Sequence, residues 1–288
     1  MRVSTRGLII LLALSATATA AACTRAATAP SPLTVSVLAS STARSADIKL
    51  DMPGGDLKVT GAGVDLVSGT LAYARPDAKP EVSSGTREST AGVVQTAVLK
   101  QPGGASVTLE AIGAWKLQLG GGLPTDLSVP KGTGDLDLDL ALVDAKNLSV
   151  GAGTGRLSVE LGGPHPGLSH VSLANASGET TIDASGEYPA LEAFEVRSAS
   201  GAVDLDISGT WGKSFTGSVV TQSGAIRLVL PSKVNVRVVV SDSSGKVTAQ
   251  GLTQEGTTWS YRSPSPSPYT LTLNVTSAGG DVDLSVKK

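Results

Sequence analysis

Residues 196–209 read VRSASGAVDLDISG, from Val196 to Gly209. Small and polar residues lead to Gly201, and beyond it apolar and acidic residues alternate. Period-two alternation puts Val203, Leu205 and Ile207 on one face of a strand and Asp204 and Asp206 on the other. The glycine before the strand suits a corner where a positive φ is needed. The phrase recurs. Its glycines are Gly134, Gly155, Gly178, Gly201, Gly224, Gly245 and Gly280, at separations of 21, 23, 23, 23, 21 and 35 residues.

Columns under these glycines carry the repeat. Two positions on stand Leu136, Leu157, Thr180, Val203, Ile226, Val247 and Val282. Four on stand Leu138, Val159, Ile182, Leu205, Leu228, Ala249 and Leu284, and six on Leu140, Leu161, Ala184, Ile207, Leu230, Gly251 and Val286. A second short strand precedes the corner in most units, as in 148–150, 171–173, 194–196, 234–240 and 271–275. Stacking such units along one axis buries the columns continuously. The expected fold is all-β, a right-handed parallel β-solenoid with coils of about 21–23 residues. An antiparallel sandwich has no reason to keep residue type at one repeat offset. The long last step contains SPSPSPY, residues 263–269, whose alternating prolines read as a surface insertion in a repeat.

The chain opens as an export signal. Arg2 and Arg6 precede a short apolar core, Leu8 to Leu14, and Ala20, Ala21 and Ala22 supply small residues for cleavage. That core is far below the ~20 residues of a membrane span. Cys23, the sole cysteine, follows directly, as in the lipobox of bacterial lipoproteins, although Ala20 stands where a larger apolar residue is usual. Ordinary cleavage would instead leave an unpaired thiol in an oxidising compartment, a liability. The expected organisation is a signal peptide over 1–22, a lipid-anchored flexible tether over 23–32, and one solenoid domain over 33–288. Within it 33–123 is less regular and 124–288 carries the regular repeats. Without Arg2 and Arg6 the chain has 21 basic and 25 acidic residues and no basic run, which argues against nucleic-acid binding. One cysteine cannot form an internal disulfide, so backbone hydrogen bonds and packing hold the fold.

The less regular part carries a resemblance. Gly54-Gly55 precedes Asp56-Leu57, Leu66 to Gly69 is a Leu-x-x-Gly step, Trp115-Lys116-Leu117 is a Trp-x-Leu strand, and Gly132-Thr133-Gly134 leads into Asp135 to Leu140. These phrases resemble the toast-rack family, which takes in the outer portions of LiaF-like envelope-stress proteins and related adhesin domains. The resemblance spans roughly residues 33–288. It implies a β-solenoid in the cell envelope and brings no catalytic residue set. The chain lacks the membrane spans of LiaF-like members, so their signalling role does not carry over.

Candidate sites are few. GAGTG at Gly151 to Gly155 mimics a phosphate loop, but a strand pattern follows where a helix N-terminus is required. His165 and His170 lie in or beside the loop GGPHPGLSHV, without a cysteine or nearby acidic cluster to complete a zinc site. No serine sits in a nucleophile elbow. The aromatics are scattered and read as core or caps; Trp211, Trp259 and the SPSPSPY loop are the alternative, a glycan or peptide surface. Five positions after the repeat glycine stand Asp139, Glu160, Asp183 and Asp206, and a parallel stack spaces them by roughly 4.8 Å. Asp137 and Asp204 share that face. A solvated face that deters edge pairing is the plain reading of this stripe. A site for Ca²⁺ or a cationic partner is the functional one, although Ca²⁺ prefers six to eight oxygens that a flat ladder does not obviously supply. No other cofactor is expected, and no catalytic residues. The expected role is a non-catalytic envelope lipoprotein presenting its surface to an envelope protein or glycan, in adhesion or stress sensing. The rivals are a carbohydrate-active enzyme on a β-helix and a purely structural component. The expected location is outside the cytoplasmic membrane or on the outer membrane, with oligomeric state open.

Overall fold

A computed structural model describes residues 31–102, 112–241 and 243–287. The expected signal peptide, Cys23 and residues 24–30 of the tether lie outside the described residues. The N-terminal part comprises β1 (Ser31–Val37), β2 (Ser45–Asp51), β3 (Leu57–Gly63), β4 (Val67–Tyr73), β5 (Glu81–Ser89), β6 (Gly92–Lys100) and β7 (Ile112–Gly120). Regular coils follow as strand pairs: β8 (Thr125–Pro130) with β9 (Leu136–Asp139), and β10 (Ala145–Thr154) with β11 (Leu157–Glu160). Next come β12 (His170–Ser177) and β13 (Thr180–Asp183) with the short β14 (Glu187–Tyr188), then β15 (Ala193–Ser200) and β16 (Val203–Asp206) with β17 (Thr210–Trp211). The chain finishes with β18 (Phe215–Ser223), β19 (Ile226–Leu230), β20 (Asn235–Ser241), β21 (Val247–Gln250), a hairpin of β22 (Thr253–Glu255) and β23 (Thr258–Tyr261), then β24 (Thr270–Ser277) and β25 (Val282–Val286).

Each coil gives one strand to each of two long sheets. The first sheet runs β1-β4-β7-β3-β9-β11-β13-β16-β19-β25-β21, and the second β22-β23-β20-β24-β18-β15-β12-β10-β8-β2-β6-β5. Inward side chains of both sheets, Leu136, Leu205 and Leu228 from the first and Leu148, Val171 and Leu273 from the second among them, join one apolar core. The coil pairings are parallel and in the expected register, with Leu157 opposite Thr180, Thr180 opposite Val203 and Val203 opposite Ile226. The architecture is that of a parallel β-solenoid with antiparallel strands confined to its two ends.

The coils do not stack in chain order throughout. β24 lies between β18 and β20, and β25 between β19 and β21, so the last coil in sequence is an inner rung. The N-terminal end repeats the device, with β2 and β3 between the β6–β7 coil and the β8–β9 coil. Side chains explain the C-terminal choice. The β25 columns hold Leu284, fully buried, and Val286, whereas β21 offers only Ala249 and then Gly251. The weaker rung takes the outer place, where less apolar surface is covered. The hairpin then covers the second sheet's edge through β23 on β20, which blunts a row of unpaired backbone groups. Residues 262–269, the proline-rich insertion, carry the chain back to the inner position.

The corner glycines form a ladder of their own. Gly134, Gly155, Gly178, Gly201 and Gly224 all have positive φ, between 96° and 130°. Beneath them runs an inner polar column. Three residues before the glycine, Lys131, Asn175, Ser198, Thr221 and Ser277 are buried. Lys131 Nζ donates to the carbonyls of Thr133 and Gly134, both at 2.6 Å. Asn175 Nδ2 donates to the Gly155 and Gly178 carbonyls at 3.3 Å, and Thr221 and Ser277 hydroxyls donate to the carbonyls of Gly224 and Gly280. A corner carbonyl taken from water needs such a partner.

Candidate functional site

The acidic stripe exists as a register. Asp139 faces Glu160, Glu160 faces Asp183 and Asp183 faces Asp206 on neighbouring strands of the first sheet. Three of the four are already engaged. The Oδ1 atoms of Asp139, Asp183 and Asp206 accept backbone N–H groups two residues on, from Ala141 at 3.3 Å, Ser185 at 2.9 Å and Ser208 at 2.8 Å. Each acid thus closes the turn that ends its strand. Lys287 Nζ lies 3.4 Å from Asp206 Oδ2, and Lys58 Nζ 3.1 Å from Asp137 Oδ2. Among the described residues no group of three or more His, Cys, Asp or Glu side chains is placed to hold a metal ion.

The outer face of the second sheet is differently built. A shallow groove of about 520 Å³ crosses β6, β2, β8, β10 and β12. Parallel pairing aligns Asp47, Asp126, Asn147 and His170 as one row across it, and Lys49, Ser128, Ser149 and Ser172 as the next. Arg87 on β5 forms an ion pair with Asp47 and closes one end. Asn147 Nδ2 donates to Asp126 Oδ1 at 2.6 Å. Asn147 Oδ1 accepts from Ser169 Oγ at 2.9 Å and lies 3.2 Å from His170 Nδ1, which is 2.9 Å from the same hydroxyl. A second depression of about 390 Å³ shares Ser128 and Ser149 and reaches Lys131. Burial pulls the Lys131 ammonium down to about 8 against the opposing charges of Asp56 and Asp135. In the sequence only His170 of this row stands out, because its members lie in separate coils and share no single residue type.

The histidines do not meet in one loop site. His165 is fully buried, with both ring nitrogens unpartnered, while His170 begins β12 on the outer face. Burial lowers the His165 pKa from its ordinary value; the carbonyls of Val143 and Leu161, near the ring but outside hydrogen-bonding geometry, and the charge of Asp144 oppose the shift. The aromatics are not all scattered. His165 stacks on Tyr188 at 5.7 Å between centroids, Tyr188 on Trp211 at 4.6 Å, and Trp211 leans on Phe215 at 5.0 Å. Trp211 Nε1 donates to the Ile207 carbonyl and Tyr188 Oη to the Leu161 carbonyl, and burial raises the tyrosine's pKa. Trp211 is therefore core and cannot join Trp259 on a ligand surface. GAGTG is the end of β10 and a coil corner, followed by β11 and not by a helix.

The N-terminal domain of toast_rack, DUF2154, matches residues 31–183, just over half of the chain. A search of the curated proteins finds no match. Among solved structures, a putative cell adhesion protein from Clostridium sporogenes is similar at 20% identity with a TM-score of 0.51, over 90% of this chain and 100% of that one. A putative adhesin from Bacteroides fragilis matches at 12% identity with a TM-score of 0.35, over 88% of this chain and 96% of that one. The first likeness extends the shared fold beyond the residues that the family matches.

Proposed function

This chain belongs to the toast_rack family, and from that membership we propose that it is an exported, non-catalytic envelope protein that acts as an adhesive surface. Residues 1–22 direct export, Cys23 carries the lipid, residues 24–30 form the tether, which ends two residues before the expected boundary because Ser31 and Pro32 already pair in β1, and right-handed coils present the solenoid away from the membrane. The adhesin-type name of the Clostridium sporogenes protein supports the reading only by analogy of fold. What carries it is the placing of polarity. Inner polar groups serve the corners and Asp139, Asp183 and Asp206 of the first sheet close turns, whereas the outer row on the second sheet keeps polar atoms without a partner among the described residues in a groove. Clustered acids and bases in a deep cleft, which a glycosidase needs, have no counterpart in this shallow face.

Two measurements test it. Cys23→Ala is expected to move the protein from the membrane pellet to the soluble fraction; retention in the pellet ends the anchor. Beads coated with the protein are expected to bind isolated cell envelopes, and beads bearing Asp126→Ala with His170→Ala are not. Equal binding by both preparations ends the assignment of adhesion to this face.

A further inference from the structure

We propose that the row Asp126–Asn147–His170 is a hydrogen-bond acceptor rail for an extended, hydroxyl-rich saccharide chain. The inference rests on the adhesive reading of this face and names its ligand class. Asp126 is an acceptor, so Asn147 turns its amide nitrogen toward it, as the 2.6 Å bond shows. That fixes Asn147 Oδ1 toward His170 Nδ1 at 3.2 Å. The oxygen can only accept, so we take the tautomer with the proton on Nδ1, which bonds it at 3.2 Å and leaves the Ser169 hydroxyl, 2.9 Å from the ring nitrogen, to donate to Asn147 Oδ1. In the neutral ring Nε2 is then an acceptor, held in one orientation by Asn147 and Ser169.

The rail therefore offers Asp126 Oδ2, without a cation partner among the described residues, and His170 Nε2. Ser128, Ser149 and Ser172 lie alongside as hydroxyls able to donate or accept. Acceptors two strands apart, with a serine hydroxyl on each of β8, β10 and β12, call for a ligand that supplies O–H donors at a regular interval along its length. A saccharide chain running across the strands does this, one donor group per roughly 4.8 Å strand step. Ser128, Ser149 and Ser172 leave room for rings to lie against the sheet over β8, β10 and β12, while Lys49, paired with Asp51, and the Arg87–Asp47 pair stop the groove at the β2 end. A basic peptide is the competitor, since ammonium groups also donate to Asp126.

The test is calorimetric titration of the detergent-solubilised full-length chain with cellotetraose, with chitotetraose and with tetralysine. Saturable binding of at least one tetrasaccharide is expected, weakened at least about tenfold by His170→Phe and by Asp126→Ala, the loss of one hydrogen bond to a fixed or charged acceptor. Asp126→Asn, which keeps the bond from Asn147, guards against misfolding of the alanine variant and should weaken binding too. Asp183→Asn on the first sheet should leave it unchanged. Binding of neither sugar, or equal binding by all variants, overturns the saccharide rail. Tetralysine binding that these variants abolish overturns it as well and leaves the adhesive reading standing. Envelope binding that survives both substitutions sinks that reading instead.

Discussion

Gly178 lies against the carbonyl of Gly155 so closely that a β-carbon on Gly178 would stand 2.2 Å from that oxygen. The same contact recurs for Gly201 over Gly178 at 2.0 Å and for Gly224 over Gly201 at 2.1 Å. Two requirements coincide at these three corners, a positive φ and an approach no side chain permits, whereas Gly245 and Gly280 keep only the close approach. Gly178→Ala is expected to destabilise by at least about 3 kcal/mol, because both strain and backbone displacement follow. Gly151→Ala, with nothing within 4 Å of the added carbon, is the matched control and should change the melting point little. Equal melting points for the two variants would refute the ladder.

The inner polar column gives a second contrast. Asn175 Nδ2 serves two corner carbonyls and the Thr180 hydroxyl, so Asn175→Ala leaves buried acceptors unsatisfied and should cost about 2 kcal/mol. Ser198, three residues before Gly201, has a buried hydroxyl with no partner. Ser198→Ala should therefore be neutral or mildly stabilising. Chemical denaturation of both variants measures the difference, and a reversed order would show that the column does not cap the corners.

Deleting residues 262–288 distinguishes the intercalated order from a stack in chain order. A chain-order solenoid losing its last coil keeps every other interface. Here the deletion removes β24 and β25 from between β18–β19 and β20–β21, so that β18–β19 keeps its ladders to β15–β16 while β20–β21 loses its connection to the body of the sheets. The truncated chain is expected to lose residues 231–261 to limited proteolysis, or to be insoluble. A protease-resistant fragment ending at Tyr261 would contradict it.

The β-class, the coils and their inward columns were legible because apolar periodicity is local and repeats at one offset. Stacking order was not. Val282, Leu284 and Val286 make a stronger rung than Val247, Ala249 and Gly251, yet preference for the inner place shows only when both compete for it. His165, Tyr188 and Trp211 each stand ten residues after a corner glycine, so their stack is written in the repeat, but beyond the six positions where apolar alternation ends. The four-acid column was placed correctly in register; its engagement in turns depends on side-chain torsions that residue type does not state. The outer row needs three strands in register before Asp126, Asn147 and His170 become neighbours.

Calcium provides the measurement for that stripe. Three of its carboxylates each have an oxygen in a turn, and the flat ladder gathers no shell of six to eight oxygens. Millimolar calcium is expected to leave the melting temperature unchanged. A saturable rise, lost in Glu160→Gln, would instead establish a cation site on the exposed member of the column.

His165 should make the fold acid-sensitive. Its ring is fully buried against Tyr188, both nitrogens lack partners, and burial holds its pKa below the ordinary value of about 6.5. The unfolded chain therefore binds the proton more readily than the folded one, and stability rises with pH wherever that difference operates. The contribution is complete above about pH 6.5 and is lost as the pH falls from there toward the lowered folded value. The carbonyls of Val143 and Leu161 and the charge of Asp144 only soften the loss. His165→Phe keeps the stack on Tyr188 and removes the titration. It should gain about 1 kcal/mol at neutral pH, by deleting buried unpaired nitrogens, and more in acid. Melting curves of both proteins from about pH 7.5 to about pH 5 measure the slope, which spans the imidazole range. Parallel slopes would show that the acid response arises elsewhere.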